Sequence, residues 1–584
     1  MLLKTIQEIR KSKTELFILL IILIISAYLR FKDFDIGYFS YHVTRDLYRA
    51  QSILTGKEIP LWGSELQYGG RTFGPFVYLL YAIPLAIHCT ALSVTFFIAF
   101  VNFLCIVLTY IFTRQYFGSK AAIFTAAFYS CFPLDISQIR FYWNPVFLPM
   151  MILIFFWGIH LISIDKKQWG LPLSLFGFFM AFNVHFSALD VLPVLILALC
   201  LNGIKFKKRI LIFSSLIVLL FILPPIIGSL KTRFSNVKEM IDAPWARQDK
   251  ERRISFNPYA LKIFSHNLHF TINESALEQG FVNIGFVKEY KETMKENLPS
   301  WIMPLQNFGY IQLLFWITGF LIAINRCFKI SKPEKNSQSL FNSPNNKAFL
   351  FLILWQMLPL LFLSFFSFHV PIGSRPYSII ATRYFAVTYP ATFITMGIGV
   401  SYIIDFLKKK NMKIFQIVIY LMCSILILGE SFFCAYYVNL MKNSGKSIPY
   451  GYEYVPTLRE MMKISSVLIN EFKISADDYY SNVYSTGVFT RYKGEATLDW
   501  LITQNPKSWE NPSMAKNHYI VIYEDKDTDL PFNEKDILRR VKSKDINIAL
   551  IKLAENETKP KLDNSMMRNW WINRMELRVP FWQR

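Results

Sequence analysis

The chain has 584 residues, of which 53% are hydrophobic, and a formal net charge of +22. The apolar residues form about ten long blocks that are almost free of charge, and such blocks are typical of membrane spans. This pattern excludes a soluble enzyme, and the amount of apolar surface excludes a disordered chain. The seven cysteines lie in or beside apolar blocks, which argues against a disulfide scaffold. Basic cytoplasmic loops explain the positive charge better than nucleic-acid binding does, so no nucleic-acid partner is expected.

The first apolar block, residues 16–29, follows a basic segment and precedes no cleavage site. We therefore expect an uncleaved span with a cytoplasmic N-terminus. The block at 75–90 contains Pro84, and its apolar stretch of about 14 residues is too short to cross a bilayer comfortably. It is predicted to be a re-entrant or interfacial helix on the outer face. A thirteen-span topology in which this block crosses the membrane is the alternative.

The sequence thus predicts an α-helical polytopic membrane protein with about eleven transmembrane helices and its C-terminus outside. Three outer segments are large, whereas the inner loops are short, so the protein is expected to act at the outer face. The predicted spans cover residues 16–30, 92–113, 119–136, 145–164, 169–185, 187–203, 210–229, 305–325, 348–368, 386–407 and 414–437.

Two domains are predicted, a membrane domain at 1–437 and a small extracytoplasmic α/β domain at 438–584. The membrane domain carries the large outer loops 31–91 and 230–304. In the second domain, apolar patterning predicts strands and intervening helices, listed here as strands 479–484, 518–523 and 546–553 and helix 455–472. The tail 566–584 is basic and aromatic, which is typical of a segment in the headgroup layer or of a helix packed on its own domain.

The first outer loop combines a carboxylate, an imidazole and two guanidinium groups within a short distance. His42 and Asp46 are four residues apart and would share one face of a helix, with Arg45 and Arg49 beside them. Close to a membrane surface, such a set suits acid–base chemistry and phosphate binding. The alternative is a solvated amphipathic helix.

Three further polar side chains lie near the outer ends of spans. Arg140 and Arg383 are expected to contact a phosphate group or to act as snorkelling anchors. His185 lies at a depth where ionisable groups are usually paired or functional, and a packing histidine is the alternative. His266 and His269 are interpreted as an amphipathic surface rather than as metal ligands. No Walker-type loop is present, so no nucleotide site is expected.

Several short motifs across about residues 1–440 resemble the GT-C superfamily of glycosyltransferases. The similar branch contains the protein O-mannosyltransferases and the lipid A aminoarabinose transferases. The matching residues are Arg45, Ile53-Leu54-Thr55-Gly56, Gly74-Pro75 with Tyr78, Arg140-Phe141-Tyr142-Trp143-Asn144-Pro145, and Arg383-Tyr384 with Pro390.

The resemblance implies a polyprenyl-phosphate-linked sugar as donor. It also implies a multi-pass protein of the bacterial inner membrane, with the lipid bilayer as a partner and the active site facing the periplasm or exterior. A glycolipid or an envelope polysaccharide is the expected acceptor, and a protein is the less favoured one.

One position departs from that branch. The acidic pair of its first outer loop falls on His42-Val43 here, and the first acid of the pair is the expected catalytic base. Either Asp46 is the base, or His42 is the base and Asp46 orients it. Asp35 and Glu65 are further candidates, and an inactive chain is another alternative.

The resemblance implies that the base removes a proton from an acceptor hydroxyl as it attacks C1, with inversion. Arg45, Arg140 and Arg383 are expected to stabilise the departing lipid phosphate. The expected substrate-binding residues are Glu65, Asn144, His185 and Tyr384. No cofactor is implied with certainty; the superfamily allows a divalent metal, but the sequence shows no clear ligand set.

Two other classes of function compete with this interpretation. A transporter or lipid flippase would show inverted repeats and charges near the middle of the membrane, and we find no repeat. A noncatalytic scaffold would act through its C-terminal domain, and the departure at His42 keeps this alternative open.

Overall fold

The computed structural model describes most of the membrane part and several C-terminal elements. Predictions for 479–484, 566–584 and most of 230–304 lie outside the described residues. The described residues are 7, 9, 12–39, 41–57, 59–64, 74–142, 144–203, 205–235, 237–238, 256, 259–266, 268, 302–328, 344–366, 369–372, 375–378, 382–444, 446–447, 455–474, 498, 500–502, 504, 518–524, 537–543 and 546–553.

The described elements are mostly helical. The helices are α1 Lys13–Phe31, α2 Tyr41–Leu54, α3 Phe76–Ile87, α4 Ala91–Phe117, α5 Ser119–Cys131, α6 Pro133–Ile139, α7 Leu148–Ser163, α8 Gly170–Val184, α9 Leu192–Asn202, α10 Lys208–Lys231, α11 Tyr259–His266, α12 Ile302–Phe328, α13 Pro344–Phe366, α14 Tyr389–Lys409, α15 Lys413–Ser444 and α16 Leu458–Asn470. Short 3-10 helices cover Asn144–Phe147, Phe186–Val191 and Thr382–Thr388. The strands are β1 His369–Ile372, β2 Arg375–Ser378, β3 Lys446–Ser447, β4 Val455–Pro456, β5 His518–Glu524, β6 Ile537–Ser543 and β7 Ile546–Leu553.

Eight helices of the described chain are long and apolar enough to cross a membrane. Their outward faces carry large apolar side chains such as Ile24 and Leu428, which are 67% and 63% exposed. Apolar side chains this exposed need a lipid environment, because water would make their exposure costly. The predicted α-helical polytopic membrane architecture is therefore confirmed.

Three predicted spans correspond to shorter helices. The span predicted at 119–136 is divided into α5 and α6 at Phe132, because Pro133 lacks an N–H and restricts the residue before it. Helices α8 and α9 have 15 and 11 residues. The 12 residues of α3 would cover only about 18 Å at 1.5 Å per residue, in line with the expected interfacial helix. The count of eleven spans stays a prediction.

Helices α7 and α8 pack against each other along a seam of glycines. A Cβ atom at Gly158 would lie 2.5 Å from the backbone nitrogen of Ser174, and one at Gly177 would lie 2.5 Å from that of Phe155. No side chain fits at either position. The two backbones therefore approach closely, as small residues permit in pairs of membrane helices.

A buried ion pair joins α1 to α6. Arg30 and Asp135 are 0% and 2% exposed, and the Arg30 Nη2 atom lies 2.7 Å from Asp135 Oδ2. Asn102 of α4 accepts a hydrogen bond from Arg30 and donates one of 3.0 Å to Asp135 Oδ1. The guanidinium also donates to the carbonyl of Ser130 at 2.6 Å. These partners satisfy two charges that would otherwise be costly to bury.

The connecting segments at one end of the bundle form a layer, here called the site end. Helix α2 packs against α3, and the 3-10 helix Asn144–Phe147 contacts both α8 and the 3-10 helix Thr382–Thr388. Residues that are far apart in the sequence therefore meet at this end.

The C-terminal region contains strands and a helix, as the sequence predicts. Strands β5, β7 and β6 form an antiparallel sheet in that order, and β5 and β7 match the strands predicted at 518–523 and 546–553. Helix α16 matches the helix predicted at 455–472. The division of the chain into two domains stays a prediction.

Candidate functional site

Asp46 lies on α2 and is fully buried. Its Oδ1 atom accepts a hydrogen bond from Arg45 Nε at 3.0 Å. Its Oδ2 atom accepts from Ser64 Oγ at 2.8 Å and from Asn144 Nδ2 at 3.0 Å. A carboxylate offers about four acceptor positions, so these three donors leave one for a proton brought by a substrate.

Asn144 is itself held in a fixed orientation. Its Oδ1 atom accepts a hydrogen bond from the Tyr81 hydroxyl at 2.8 Å, and its Nδ2 atom also donates to Ser64 Oγ at 3.2 Å. Tyr81 is 0% exposed and lies on α3, whose packing on α2 brings the phenol to this point. The predicted residues Asp46, Arg45 and Asn144 therefore form one buried cluster, here called the Asp46 cluster.

The sequence analysis missed two members of this cluster. Ser64 follows a short irregular segment, and Tyr81 sits in an apolar block among other aromatic residues. The only local signal for Tyr81 is its hydroxyl, because a buried tyrosine usually needs a hydrogen-bond partner.

Three predicted site residues have side chains outside the described part of the chain. His42 lies on α2 one turn before Asp46, on the same face of the helix. Arg383 lies in the 3-10 helix Thr382–Thr388 at the site end. Glu65 lies outside the described residues altogether. The choice between Asp46 and His42 as base stays as the sequence left it.

Arg140 points to the end of α1. It is 2% exposed, and its guanidinium donates to the backbone carbonyls of Asp33, Leu29 and Lys32, the last two at 3.1 and 2.9 Å. The last carbonyls of a helix have no partner within the helix, so Arg140 caps α1. No described hydrogen bond of its side chain joins it to the Asp46 cluster. Its phosphate-binding role stays a prediction.

The structure brings together two other predicted substrate-binding residues. The rings of His185 and Tyr384 lie 5.1 Å apart between centroids, at an angle of 37°. His185 Nδ1 accepts a hydrogen bond of 3.2 Å from the backbone N–H of Ser187. His185 and Tyr384 therefore form an aromatic pair at the site end.

The Gly74-Pro75 turn lies against the end of α8. Gly74 has φ of +87°, and a Cβ there would lie 2.1 Å from Asn183 Oδ1. Only glycine fits both the backbone conformation and the contact. The turn therefore connects the start of α3, and thus Tyr81, with the segment that leads to His185.

Asp35, a further candidate base, is engaged in an ion pair. Its two oxygens accept from Arg459 Nε at 2.7 Å and Arg459 Nη2 at 2.5 Å. The same Nη2 atom donates to Asp33 at 2.8 Å, and Lys442 donates to Asp33 at 3.3 Å. The hydrogen bonds that Arg459 donates to Asp35 hold the pKa of Arg459 above its ordinary value. In this structure Asp35 docks α16 on the first loop.

Trp500 of the C-terminal region packs on the same loop. Trp500 is fully buried, and its ring lies 5.8 Å from that of Phe39. Leu498 and Ile502 are also fully buried and belong to the same apolar core as the membrane helices. The C-terminal region therefore forms part of the layer that carries Asp46.

The resemblance to the superfamily left a divalent metal open. Within the described residues, no three His, Cys, Asp or Glu side chains lie close enough together to hold a metal ion.

Neither a protein-family model nor a curated protein sequence matches this chain. Among solved structures, it is similar to ArnT from Cupriavidus metallidurans bound to undecaprenyl phosphate, with a TM-score of 0.51 and 10% identity. That similarity covers 93% of this chain and 99% of ArnT. The archaeal oligosaccharyltransferase AglB from Archaeoglobus fulgidus, in complex with an inhibitory peptide and a dolichol-phosphate, has a TM-score of 0.46 and 14% identity. There the similarity covers 88% of this chain and 70% of AglB.

The apo form of the Archaeoglobus fulgidus oligosaccharyltransferase has a TM-score of 0.44 and 13% identity, with 79% of this chain covered. This chain spans 58% of that protein's length. At identities this low, the similarity concerns the fold alone, and the match to ArnT includes nearly all of both chains. The resemblance inferred from the motifs is thereby confirmed at the level of the fold: this chain has a fold similar to that of ArnT.

Proposed function

We propose that this chain is a membrane glycosyltransferase that transfers one sugar from a polyprenyl-phosphate-linked donor to an acceptor hydroxyl at the site end. The observation that carries the proposal is the buried Asp46 carboxylate, held by Arg45, Ser64 and Asn144 with one acceptor position left. The likeness to ArnT supports the choice of donor, because that structure contains undecaprenyl phosphate.

The proposed reaction is a single displacement at C1 of the sugar. The acceptor oxygen attacks C1 while its proton moves to Asp46, and the bond between C1 and the phosphate oxygen breaks. The lipid phosphate departs with the electron pair of that bond. Attack opposite to the leaving group inverts the anomeric centre. A base of this kind contributes about 10²–10⁴-fold to the rate.

Guanidinium groups are suited to the departing phosphate because they bind two oxygens at once. Arg45 lies beside Asp46, so it is close to the place where C1 must sit. Arg383 belongs to the 3-10 helix that contacts the segment carrying Asn144. Arg45 and Arg383 are the phosphate-binding residues that fit this arrangement best.

The remaining assignments of the sequence analysis belong to the same proposal. The acceptor is a glycolipid or envelope polysaccharide, the membrane is the bacterial inner membrane, and the site end faces the periplasm or exterior. The His185–Tyr384 pair and Asn144 line the sugar or acceptor pocket. In the variant mechanism, His42 takes the proton and Asp46 orients its ring.

The test is sugar transfer by the purified full chain in liposomes, with radiolabelled polyprenyl-phosphate sugars and an envelope-lipid extract. Asp46→Asn keeps the size of the side chain but removes its basicity, so labelling should fall by about 10²-fold or more. Asp405→Asn is the matched control, because that carboxylate is 47% exposed at the opposite end of the bundle. His42→Ala distinguishes a single base from a dyad.

Two results would contradict the proposal in different ways. If Asp46→Asn transfers sugar as fast as the wild type, the assignment of Asp46 as part of the catalytic site is wrong. If the wild type labels no acceptor with a broad panel of donors, the assignment as a glycosyltransferase is wrong, and the transporter and scaffold alternatives become the better interpretations.

A further inference from the structure

A cleft lies between the end of α1 and the last turns of α15, at the site end. Lys32, Arg140 and Lys442 line it together with Asp33. Three cationic side chains thus face one carboxylate, an excess of two positive charges. The charge of the lining suits an anion.

The cationic groups of the cleft have hydrogen-bond donors to offer. The Arg140 Nε atom is buried and has no hydrogen-bond partner among the described residues. Lys32 donates to the Tyr28 hydroxyl, and its ammonium lies 4.7 Å above the Tyr28 ring. Lys442 donates to Asp33 at 3.3 Å. An ammonium carries three N–H donors, so one such contact leaves others for a ligand.

The walls of the cleft are apolar. Leu29 of α1 faces Ala435 and Val438 of α15 across it. Below the cleft, both helices expose apolar side chains along their outward faces, among them Ile24 and Phe432. In a membrane these faces meet lipid chains, and the cations at the helix ends lie at the level of the headgroups.

We propose that this cleft binds the phosphate of an anionic phospholipid from the adjacent leaflet. Lys32, Lys442 and Arg140 bind the phosphate, and the acyl chains lie along α1 and α15. Free phosphate would contact only the cationic side chains and would make no contact with the apolar walls. A zwitterionic headgroup would add a cation next to the lysines and lose part of the attraction.

The proposed lipid site is separate from the Asp46 cluster. The cluster is built from α2, α3 and the segments carrying Ser64 and Asn144, and none of its members lines the cleft. A bound lipid would bridge the first and last described membrane helices. The proposal therefore stands or falls independently of the proposed sugar transfer.

The test is native mass spectrometry of the detergent-purified full chain, titrated with phosphatidylglycerol. A basic residue near anionic lipid changes binding by about fivefold, so Lys32→Met with Lys442→Met should weaken the tightest lipid adduct by about 25-fold. Asp33→Asn removes the one negative charge from the lining and should tighten the adduct by about fivefold. Lys32→Arg with Lys442→Arg keeps the charge and should retain the lipid.

The matched control is Lys409→Met with Lys410→Met, which removes two exposed lysines at the opposite end of the bundle and should leave the tightest adduct unchanged. Melting temperatures of all variants identify any that fail to fold. Unchanged lipid binding in the double methionine variant would overturn the proposal, because Lys32 and Lys442 would then be ordinary interfacial anchors. Competition by inorganic phosphate at equal concentration, or equal binding of phosphatidylcholine, would overturn it as well.

Discussion

Gln51 and Gln504 exchange two amide hydrogen bonds, with distances of 3.3 and 3.1 Å between nitrogen and oxygen. Gln51 lies on α2, little more than one turn after Asp46. Gln504 Oε1 also accepts a hydrogen bond from Cys89 Sγ at 3.0 Å. The C-terminal region thereby holds the helix that carries the candidate base.

We expect the loss of this amide pair to slow sugar transfer without abolishing it. Gln504→Ala removes both hydrogen bonds, each worth about 1 kcal/mol, so α2 should be less well positioned. The rate of transfer should fall by up to about 30-fold, since the two bonds together are worth about 2 kcal/mol and 1.4 kcal/mol corresponds to a factor of ten.

A double-mutant cycle with Gln51→Ala and Gln504→Ala is the measurement. Contacting residues are coupled, so the double variant should be little slower than either single variant. Strictly additive losses would mean that the two amides act separately and that the C-terminal segment does not position α2.

A second carboxylate at Asn144 should change the pH dependence of transfer. Asn144→Asp replaces a donor to Asp46 with a negative charge at 3.0 Å. A like charge favours the protonated form of its neighbour, and a protonated carboxyl is no base. The acid limb of the pH–rate profile should therefore move to higher pH, by about one unit or more.

The control is Asn144→Ala, which introduces no charge and should shift the acid limb less. Equal pH–rate profiles in the wild type and both variants would argue against Asp46 as the base.

The buried ion pair between Arg30 and Asp135 should be a major determinant of stability. Asp135→Ala leaves the guanidinium buried without its charge partner, which costs about 3–5 kcal/mol. Arg30→Met with Asp135→Leu removes both charges and should cost less. Thermal unfolding in detergent measures both effects. The exposed pair of Lys120 and Asp405 is the control, because Asp405→Ala should cost about 1 kcal/mol or less.

The attachment of α16 to the first loop should weaken in acid. Burial opposes ionisation of Asp33, but the hydrogen bonds from Arg459 and Lys442 outweigh it and hold the Asp33 pKa below its ordinary value of 3.8. A carboxylate of this kind stabilises the folded state above its ordinary pKa, and this contribution is lost as pH falls through the lowered value.

Hydrogen exchange in α16, labelled at one common pH after incubation at different pH values, measures this attachment. Protection should be constant from pH 8 to about 5 and fall below about 4. In the double variant Asp33→Asn with Asp35→Asn, the protection of α16 should be lower at every pH and should no longer fall below about pH 4. An acid step that persists in this variant would assign the release to other groups.

Much of the candidate site was predictable because its members are polar side chains in short motifs next to predicted membrane spans. Asp46, Arg45 and Asn144 stood out for this reason, and the fold brings them together. Arg140 stood out equally, yet its guanidinium turns to the carbonyls of α1. Sequence shows that a charge lies at a helix end, but which partner it meets depends on how neighbouring helices pack.

Contacts between distant segments were the least predictable part. The Gln51–Gln504 pair joins residues 453 positions apart, and nothing in either segment marks the other. Likewise, α5 and α6 were expected as one span although Pro133 lies inside it, because apolar content outweighed the proline signal. The Arg30–Asp135 pair also escaped prediction, since each charge alone resembled an ordinary residue at a span end.

The glycine seam between α7 and α8 has a consequence for evolution of the pocket. Helix α7 begins just after the segment with Asn144, and α8 ends immediately before His185. The separation of the two backbones therefore sets the distance between the segments that carry Asn144 and His185, which line the proposed pocket. A methyl group at Gly158 or Gly177 would widen that distance from deep within the membrane. Substrate size can thus change through residues that no substrate ever touches.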